Sequence, residues 1–157
     1  SGQVIPKAAL PTGSVLQVVQ TVSLTNTTTT SATPVTTGIS ASITPSANTS
    51  KILVLIDTTV VAGATPNGVG LILYRGGTVV KNSGIDGGPA YYTTYQYTSR
   101  VWLQQSLIYL DSPATTSSTT YTLYFAAYSG GGSPVQIGAG ASPNFYPTTI
   151  TLMEIAA

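Results

Sequence analysis

Four side chains carry the carboxylates of this sequence, and they are the first candidates for chemistry: Asp57, Asp86, Asp111 and Glu154. The sequence contains no His and no Cys, which excludes Ser-His-Asp and Cys-His catalysis and removes the main ligands of zinc. Two carboxylates at a set separation would suit a glycoside hydrolase. Asp86 and Asp111 both lie at predicted loop positions, so a catalytic pair stays open as an alternative.

A structural role is the stronger interpretation of these acids. Asp111 precedes Ser-Pro, a combination typical of a turn that ends a strand, where the carboxylate accepts hydrogen bonds from nearby backbone N–H groups. Asp86 offers one carboxylate, whereas Ca²⁺ needs six or more oxygen ligands. The glycines at 130–132 lack the Lys and the helix of a phosphate-binding loop. We therefore expect no catalytic residue, no metal site, no cofactor and no enzymatic activity.

A cluster of aromatic side chains is the second candidate site. Four tyrosines lie within seven residues, close to an arginine and to the single tryptophan. Tyr combines a large contact area with a polar tip and suits carbohydrate or protein interfaces. We favour a contact between subunits over a ligand site, and both alternatives remain open. The aromatic cluster consists of Tyr91, Tyr92, Tyr95, Tyr97, Arg100 and Trp102.

The composition limits the classes of partner. Charged residues make up 6% of the 157 residues, against roughly 25% in ordinary globular domains. With 27 Thr and 17 Ser, hydroxyl groups must supply much of the polar surface, as in many secreted, cell-surface and viral β-proteins. The net charge of +1 is spread along the chain without a basic stripe, so we expect no nucleic-acid partner. The longest strongly apolar run, residues 52–56, is far shorter than the roughly 20 residues of a membrane span, so we expect no membrane insertion.

The elements that would position the candidate residues are predicted to be β-strands. Residues 51–62, KILVLIDTTVVA, are β-branched and nearly continuous, which is typical of a strand buried on both faces. Residues 39–43 alternate with period two. Gly76-Gly77 marks the bend of a hairpin, and residues 97–111 form a long strand that carries Trp102. Residues 26–38 are polar and contain Pro34, so they are predicted to connect strands.

Together these patterns predict an all-β protein. About eight or nine short strands separated by Gly, Pro and Asn turns, without an amphipathic helix, indicate an antiparallel β-sandwich of jelly-roll type. Residues 14–157 are predicted to form this single domain. Residues 1–13 contain Pro6, Pro11 and Gly13 without a sustained period, which predicts an extended N-terminal arm.

Five stretches of the sequence carry a family resemblance: GSVLQVVQT at 13–21, ITPSANTSKILVLI at 43–56, LYRGGTVV at 73–80, LDSPATTSSTTYTLYF at 110–125 and TITLMEI at 149–155. Taken together, they resemble virion structural and tail-fibre proteins of bacteriophages of aquatic bacteria. The resemblance runs in order from about residue 13 to residue 155 and implies a homotrimeric jelly-roll-like domain exposed on the particle. It brings no catalytic motif.

This family includes both fibre-tip domains and small standalone proteins. The predicted arm is too short for a fibre shaft, and a Ser-Gly start is what removal of an initiator Met would leave, so we expect a complete small protein. The leading hypothesis is a non-enzymatic homotrimeric head decoration (cement) protein on the virion exterior. Its partners would be its own copies and the major capsid protein or other virion proteins. The arm would contact the capsid through Val4, Ile5, Pro6, Lys7 and Leu10.

Two alternatives belong to other functional classes. The first is a receptor-binding tip domain of a tail fibre that recognises host surface glycan through the aromatic cluster. The second, which is less favoured, is a polysaccharide hydrolase that uses Asp86 and Asp111.

Overall fold

A computed structural model of the chain describes residues 10–62, 68–82, 101–127, 133–138 and 146–157. Within these ranges the chain forms ten β-strands and no helix. The strands are β1 Val15–Ser23, β2 Thr27–Thr29, β3 Val35–Ile43, β4 Lys51–Ala62, β5 Val69–Arg75, β6 Thr78–Asn82, β7 Val101–Asp111, β8 Thr119–Ala127, β9 Val135–Ile137 and β10 Thr148–Ile155.

The strands form two antiparallel sheets. In the first sheet β10 lies between β1 and β4, and β7 pairs with the opposite edge of β4. The short strands β9 and β2 extend this sheet beside the end of β4. The second sheet has the order β3-β8-β5-β6. The eight long strands are thus shared equally between two sheets, which confirms the predicted antiparallel sandwich of jelly-roll type.

The main departure from the predicted strands lies in residues 26–38, which were expected to be a polar connection. Three threonines of this segment form β2, and β3 begins at Val35, directly after Pro34. Gly38 has a φ of +76° within a register shift of the β3–β8 pair. The prediction was wrong here because β-branched Thr forms strands where a partner is present.

The core lies between the two sheets and follows from alternation along the strands. On β4 the buried residues Ile52, Val54 and Ile56 alternate with the exposed Lys51 and Asp57 and the partly buried leucines between them. The strand is buried on both faces only from residue 58 onward. The prediction that all of β4 is buried on both faces was therefore wrong for its first half.

The predicted hairpin at Gly76-Gly77 is confirmed. Arg75 at the end of β5 pairs with Thr78 at the start of β6, and Gly76 adopts a φ of +56° in the two-residue turn. Glycine tolerates positive φ without the steric cost that a Cβ would bring.

Backbone hydrogen bonds join the residues just before β1 to the residue just after β10. Gly13 N donates to Ala156 O at 2.8 Å, and Ala156 N donates to Ser14 O at 2.9 Å.

Residues 1–9 of the predicted arm lie outside the described residues, so the division between arm and domain stays a prediction. In the described part of the chain there is no helix long and apolar enough to cross a membrane.

Candidate functional site

Asp111 links the two sheets at one end of the sandwich. It is the last residue of β7 in the first sheet, and its Oδ2 accepts hydrogen bonds from Arg75 Nη1 at 2.7 Å and from the Tyr121 hydroxyl at 2.6 Å. Both partners belong to the second sheet. Burial, together with the hydrogen bond to Asp111, raises the pKa of Tyr121 well above its ordinary value. The phenol therefore stays protonated and donates to the carboxylate.

These contacts refine the sequence interpretation of Asp111. The strand does end at this residue, as predicted. The bonds that hold the carboxylate come from side chains 36 and 10 residues away, rather than from a local turn. Asp86 lies outside the described residues, so the separation of the proposed catalytic pair is undetermined. The Asp111 carboxylate itself is buried and held in an internal ion pair.

Glu154 is fully buried and was not assigned a role from the sequence. Its Oε1 accepts hydrogen bonds from Ser46 N at 2.7 Å, Ser46 Oγ at 2.6 Å and Ser50 Oγ at 2.7 Å. Its Oε2 accepts from Gln17 Nε2 at 2.6 Å. The sequence does carry a signal for this burial, because Glu154 continues the inward alternation of Ile150 and Leu152 on β10.

The surroundings of Glu154 keep it ionised. Burial alone would raise the pKa of its carboxyl, but the hydrogen bonds from Ser46, Ser50 and Gln17 outweigh burial and lower the pKa to about 2. Four donors thus compensate a buried negative charge without a cation. An anion held in this way binds the loop between β3 and β4 to β1 and β10, and it is poorly suited to proton transfer near neutral pH.

The other described acid, Asp57, lies at the surface and accepts a hydrogen bond from Ser106 Oγ at 3.1 Å. Among the residues described, no three of the types His, Cys, Asp and Glu group together in a way that would hold a metal ion.

The outward side of the first sheet carries a group of neighbouring apolar side chains. Strand pairing places one apolar row straight across four strands: Val18 of β1, Met153 of β10, Leu53 of β4 and Leu110 of β7. In the next outward row, Leu55 pairs with Ile108. We call these six side chains the outer face.

The outer-face side chains on the two flanking strands, β1 and β7, are markedly exposed. Ile108 is 63% exposed, Val18 55% and Leu110 49%. Single exposed apolar residues are common, whereas a contiguous group on a folded protein marks an interaction site. Two charged residues of β4, Lys51 at its start and Asp57 near its middle, lie on this same side of the sheet.

The predicted aromatic cluster falls mostly outside the described residues, namely Tyr91, Tyr92, Tyr95, Tyr97 and Arg100. Trp102 is described. It lies opposite Val61 on β7, on the same side of the sheet as Ile108, and is 54% exposed. The role of the cluster as a subunit contact or a ligand site therefore stays a prediction.

Of the predicted capsid-contacting arm, Val4, Ile5, Pro6 and Lys7 also fall outside the described residues. Leu10 is partly buried and lines a cavity of about 300 Å³ at the end of the first sheet, together with Leu16, Ser46 and Ala156.

The hydroxyl-rich segment at 112–118 connects β7 to β8 and borders an open groove of about 310 Å³. Arg75, Thr115, Ser118 and Thr120 contribute to the lining of this groove. Arg75 also pairs with Asp111, the residue directly before this segment. The segment thus connects the two sheets and presents a hydroxylated surface.

Comparisons with known proteins give structural similarity alone. No protein-family model matches the chain, and no curated protein matches it significantly. Solved structures that resemble the fold include infectious bursal disease virus, Gx strain, with 13% identity, a TM-score of 0.47, and coverage of 100% of this chain and 41% of that chain. Another is the VP2 subviral particle of the same virus, with 10% identity, a TM-score of 0.47, and coverage of 98% and 45%. The chain thus spans less than half the length of these proteins, and matches of this degree assign it neither a family nor a function.

Proposed function

We propose that this chain is a non-enzymatic structural subunit on the exterior of a bacteriophage virion and, within that class, a head decoration protein. One observation carries the proposal. The two buried carboxylates, Asp111 and Glu154, are held in internal hydrogen bonds, whereas the first sheet presents apolar side chains to the outside. A protein built in this way acts through contact rather than through acid–base chemistry.

The sequence resemblance supplies the virion context of the proposal. The stretch at 110–125 occupies the end of β7, the hydroxylated connection and most of β8, while the stretches at 43–56 and 149–155 include paired parts of β4 and β10. The resembling residues therefore include strands that build the outer face. Partners in this proposal are other copies of the chain, in homotrimers as the resemblance implies, and the major capsid protein or other virion proteins.

Low charge suits a subunit that packs densely on a symmetric particle. Uncompensated ions are costly to bury at contacts, whereas Thr and Ser hydroxyls find partners at lower cost. The first sheet already shows such pairing, because Gln20 Nε2 donates to Thr151 Oγ1 at 2.9 Å across neighbouring strands.

Counting the protein on separated heads and tails tests the proposal. We expect the chain in the head fraction, at a copy number that is a simple fraction of that of the major capsid protein, as measured by quantitative mass spectrometry with labelled peptide standards. A few copies per particle, confined to the tail fraction, would contradict a decoration role.

The alternative is a receptor-binding tip domain of a tail fibre, which the exposure of Trp102 specifically favours. In this alternative Trp102→Ala and Tyr92→Ala would reduce binding of the purified protein to host cells or to their surface glycans by about tenfold or more. Tyr146→Ala, at an aromatic residue that is 49% exposed, is the matched control. Equal binding by all three variants would remove the alternative.

A further inference from the structure

We propose that the outer face of the first sheet is buried against the same face of a second copy of this chain, related by a twofold axis. The inference concerns the chain itself and does not depend on its placement on a virion. Its basis is the cross-strand register of four strands and the position of two charges.

The centre of the contact is the row Val18–Met153–Leu53–Leu110, with Leu55 and Ile108 beside it. The first row is apolar across all four long strands of the sheet, whereas the second row continues from Leu55 into the polar residues Thr151 of β10 and Gln20 of β1. Burying such a surface against another apolar sheet is the arrangement that sandwiches use internally, with sheets about 10 Å apart.

The second sheet provides a contrast. On its outward side, Ile72 and Ala126 are buried, and the partly buried Tyr74 and Tyr124 pack against them, with their ring centroids 4.1 Å apart. Apolar residues at the middle of that sheet are thus covered within the protein, whereas those at the flanks of the outer face are about half exposed or more.

Charge complementarity identifies a second copy as the occupant. Lys51 and Asp57 are exposed, have opposite signs and lie on the outer side of β4, with Leu53 and Leu55 between them. Six residues of strand separate them by about 20 Å. Val54 is the midpoint of this span. A twofold axis that crosses β4 at Val54, in the plane of the contact, places each Lys51 over the Asp57 of the other copy, so the face is complementary to itself.

The face between the two charges forms only part of such a contact. Four strands about 4.8 Å apart and the span of about 20 Å from Lys51 to Asp57 give roughly 300 Å² in projection. A stable interface buries about 800 Å² of accessible surface on each partner. The contact must therefore extend beyond the span between Lys51 and Asp57.

Symmetry separates this contact from one around a threefold axis. With strands parallel to a threefold axis, three Lys51 side chains would lie at one level and three Asp57 side chains at another, so like charges would meet. The twofold contact therefore predicts an even number of protomers. The twofold contact alone gives an assembly of two protomers, and two trimers that pair through this contact give an assembly of six.

The mass of the purified full-length chain in solution tests the proposal, measured by light scattering and sedimentation over a range of concentrations. We expect two or six protomers. Ile108→Lys, at the most exposed side chain of the outer face, should weaken the association by about tenfold or more, because it places a charge in the apolar centre. Val79→Lys is the matched control, because Val79 is 46% exposed on β6 of the second sheet, and it should associate like the parent.

Charge reversal tests the twofold relation without altering the apolar centre. Lys51→Asp and Asp57→Lys should each weaken the association, since each brings two pairs of like charges together. The double variant restores opposite charges in every pair and should associate as tightly as the parent. Thermal unfolding and circular dichroism of each variant check that its fold is retained.

A monomer, or an assembly of three protomers alone, would overturn the proposal. So would an unchanged association of Ile108→Lys in a folded protein, or a double charge variant that associates no better than the weaker single variant.

Discussion

At the scale of the residue, the interior of this protein contains two buried carboxylates. Asp111 is held by one cation and one phenol, and Glu154 by four donors without a cation. Both couple segments that are distant in the sequence. The ionisation of Glu154 should appear in the dependence of stability on pH.

Glu154→Gln should destabilise the protein by about 3 kcal/mol at pH 7, because the carboxyl is held at a pKa of about 2 in the folded state, against an ordinary value of 4.5. At a pH between these two pKa values, the carboxyl binds a proton in the unfolded chain but not in the folded chain. The stabilisation is thus complete above about pH 5 and is lost as the pH falls toward 2. Denaturant unfolding between pH 2 and pH 7 measures this loss.

The Glu154→Gln variant should show a flatter acid dependence than the parent. Equal acid dependence in the parent and in Glu154→Gln would contradict the role given to Glu154.

Tyr121→Phe should cost about 1–2 kcal/mol, because it removes a buried donor to Asp111. Since folding raises the pKa of this phenol, the parent should also lose stability as the pH rises above about 10, where the tyrosines of the unfolded chain ionise. The variant should lose less over that range. Tyr146→Phe, at an exposed hydroxyl, should behave as the parent, and equal alkaline sensitivity of both variants would count against the buried bond.

At the scale of the element, the sequence predicted the long strands well and the short ones poorly. Residues 39–43 alternate cleanly, and their buried positions follow the alternation. β2 has three threonines, and its existence depends on pairing with β9, more than a hundred residues away. A pattern within one segment does not contain such a partner, so the polar run 26–38 looked like a connection.

Gly138, which directly follows β9, should be more sensitive to substitution than Gly77. It has a φ of +69°, its N–H donates to Thr59 O at 2.9 Å, and a Cβ at this position would lie 2.5 Å from the Thr25 carbonyl oxygen. Gly138→Ala should therefore destabilise the protein by about 2 kcal/mol or more, as measured by denaturant unfolding. Gly77→Ala, where a Cβ has open space, is the control and should be nearly neutral. Similar losses in both variants would refute the close approach at Gly138.

At the scale of the whole molecule, the jelly-roll sandwich was predictable from the sequence because turns and alternating strands recur along the entire chain. The outer face was not. Alternation shows that Leu53 and Leu55 share a side of β4, but only the sheet order places Val18, Met153 and Leu110 in line with them. The partners of Asp111 and Glu154 were hidden for the same reason, since they meet through packing between distant strands.

The proposed role makes the chain a structural subunit on the outside of a phage particle. Labelling intact virions with a gold-conjugated antibody against the purified chain, followed by electron microscopy, tests this claim most directly. We expect label distributed over the surface of the head. Label only at the tail tip, or particles without label whose proteins lack the chain by mass spectrometry, would contradict it.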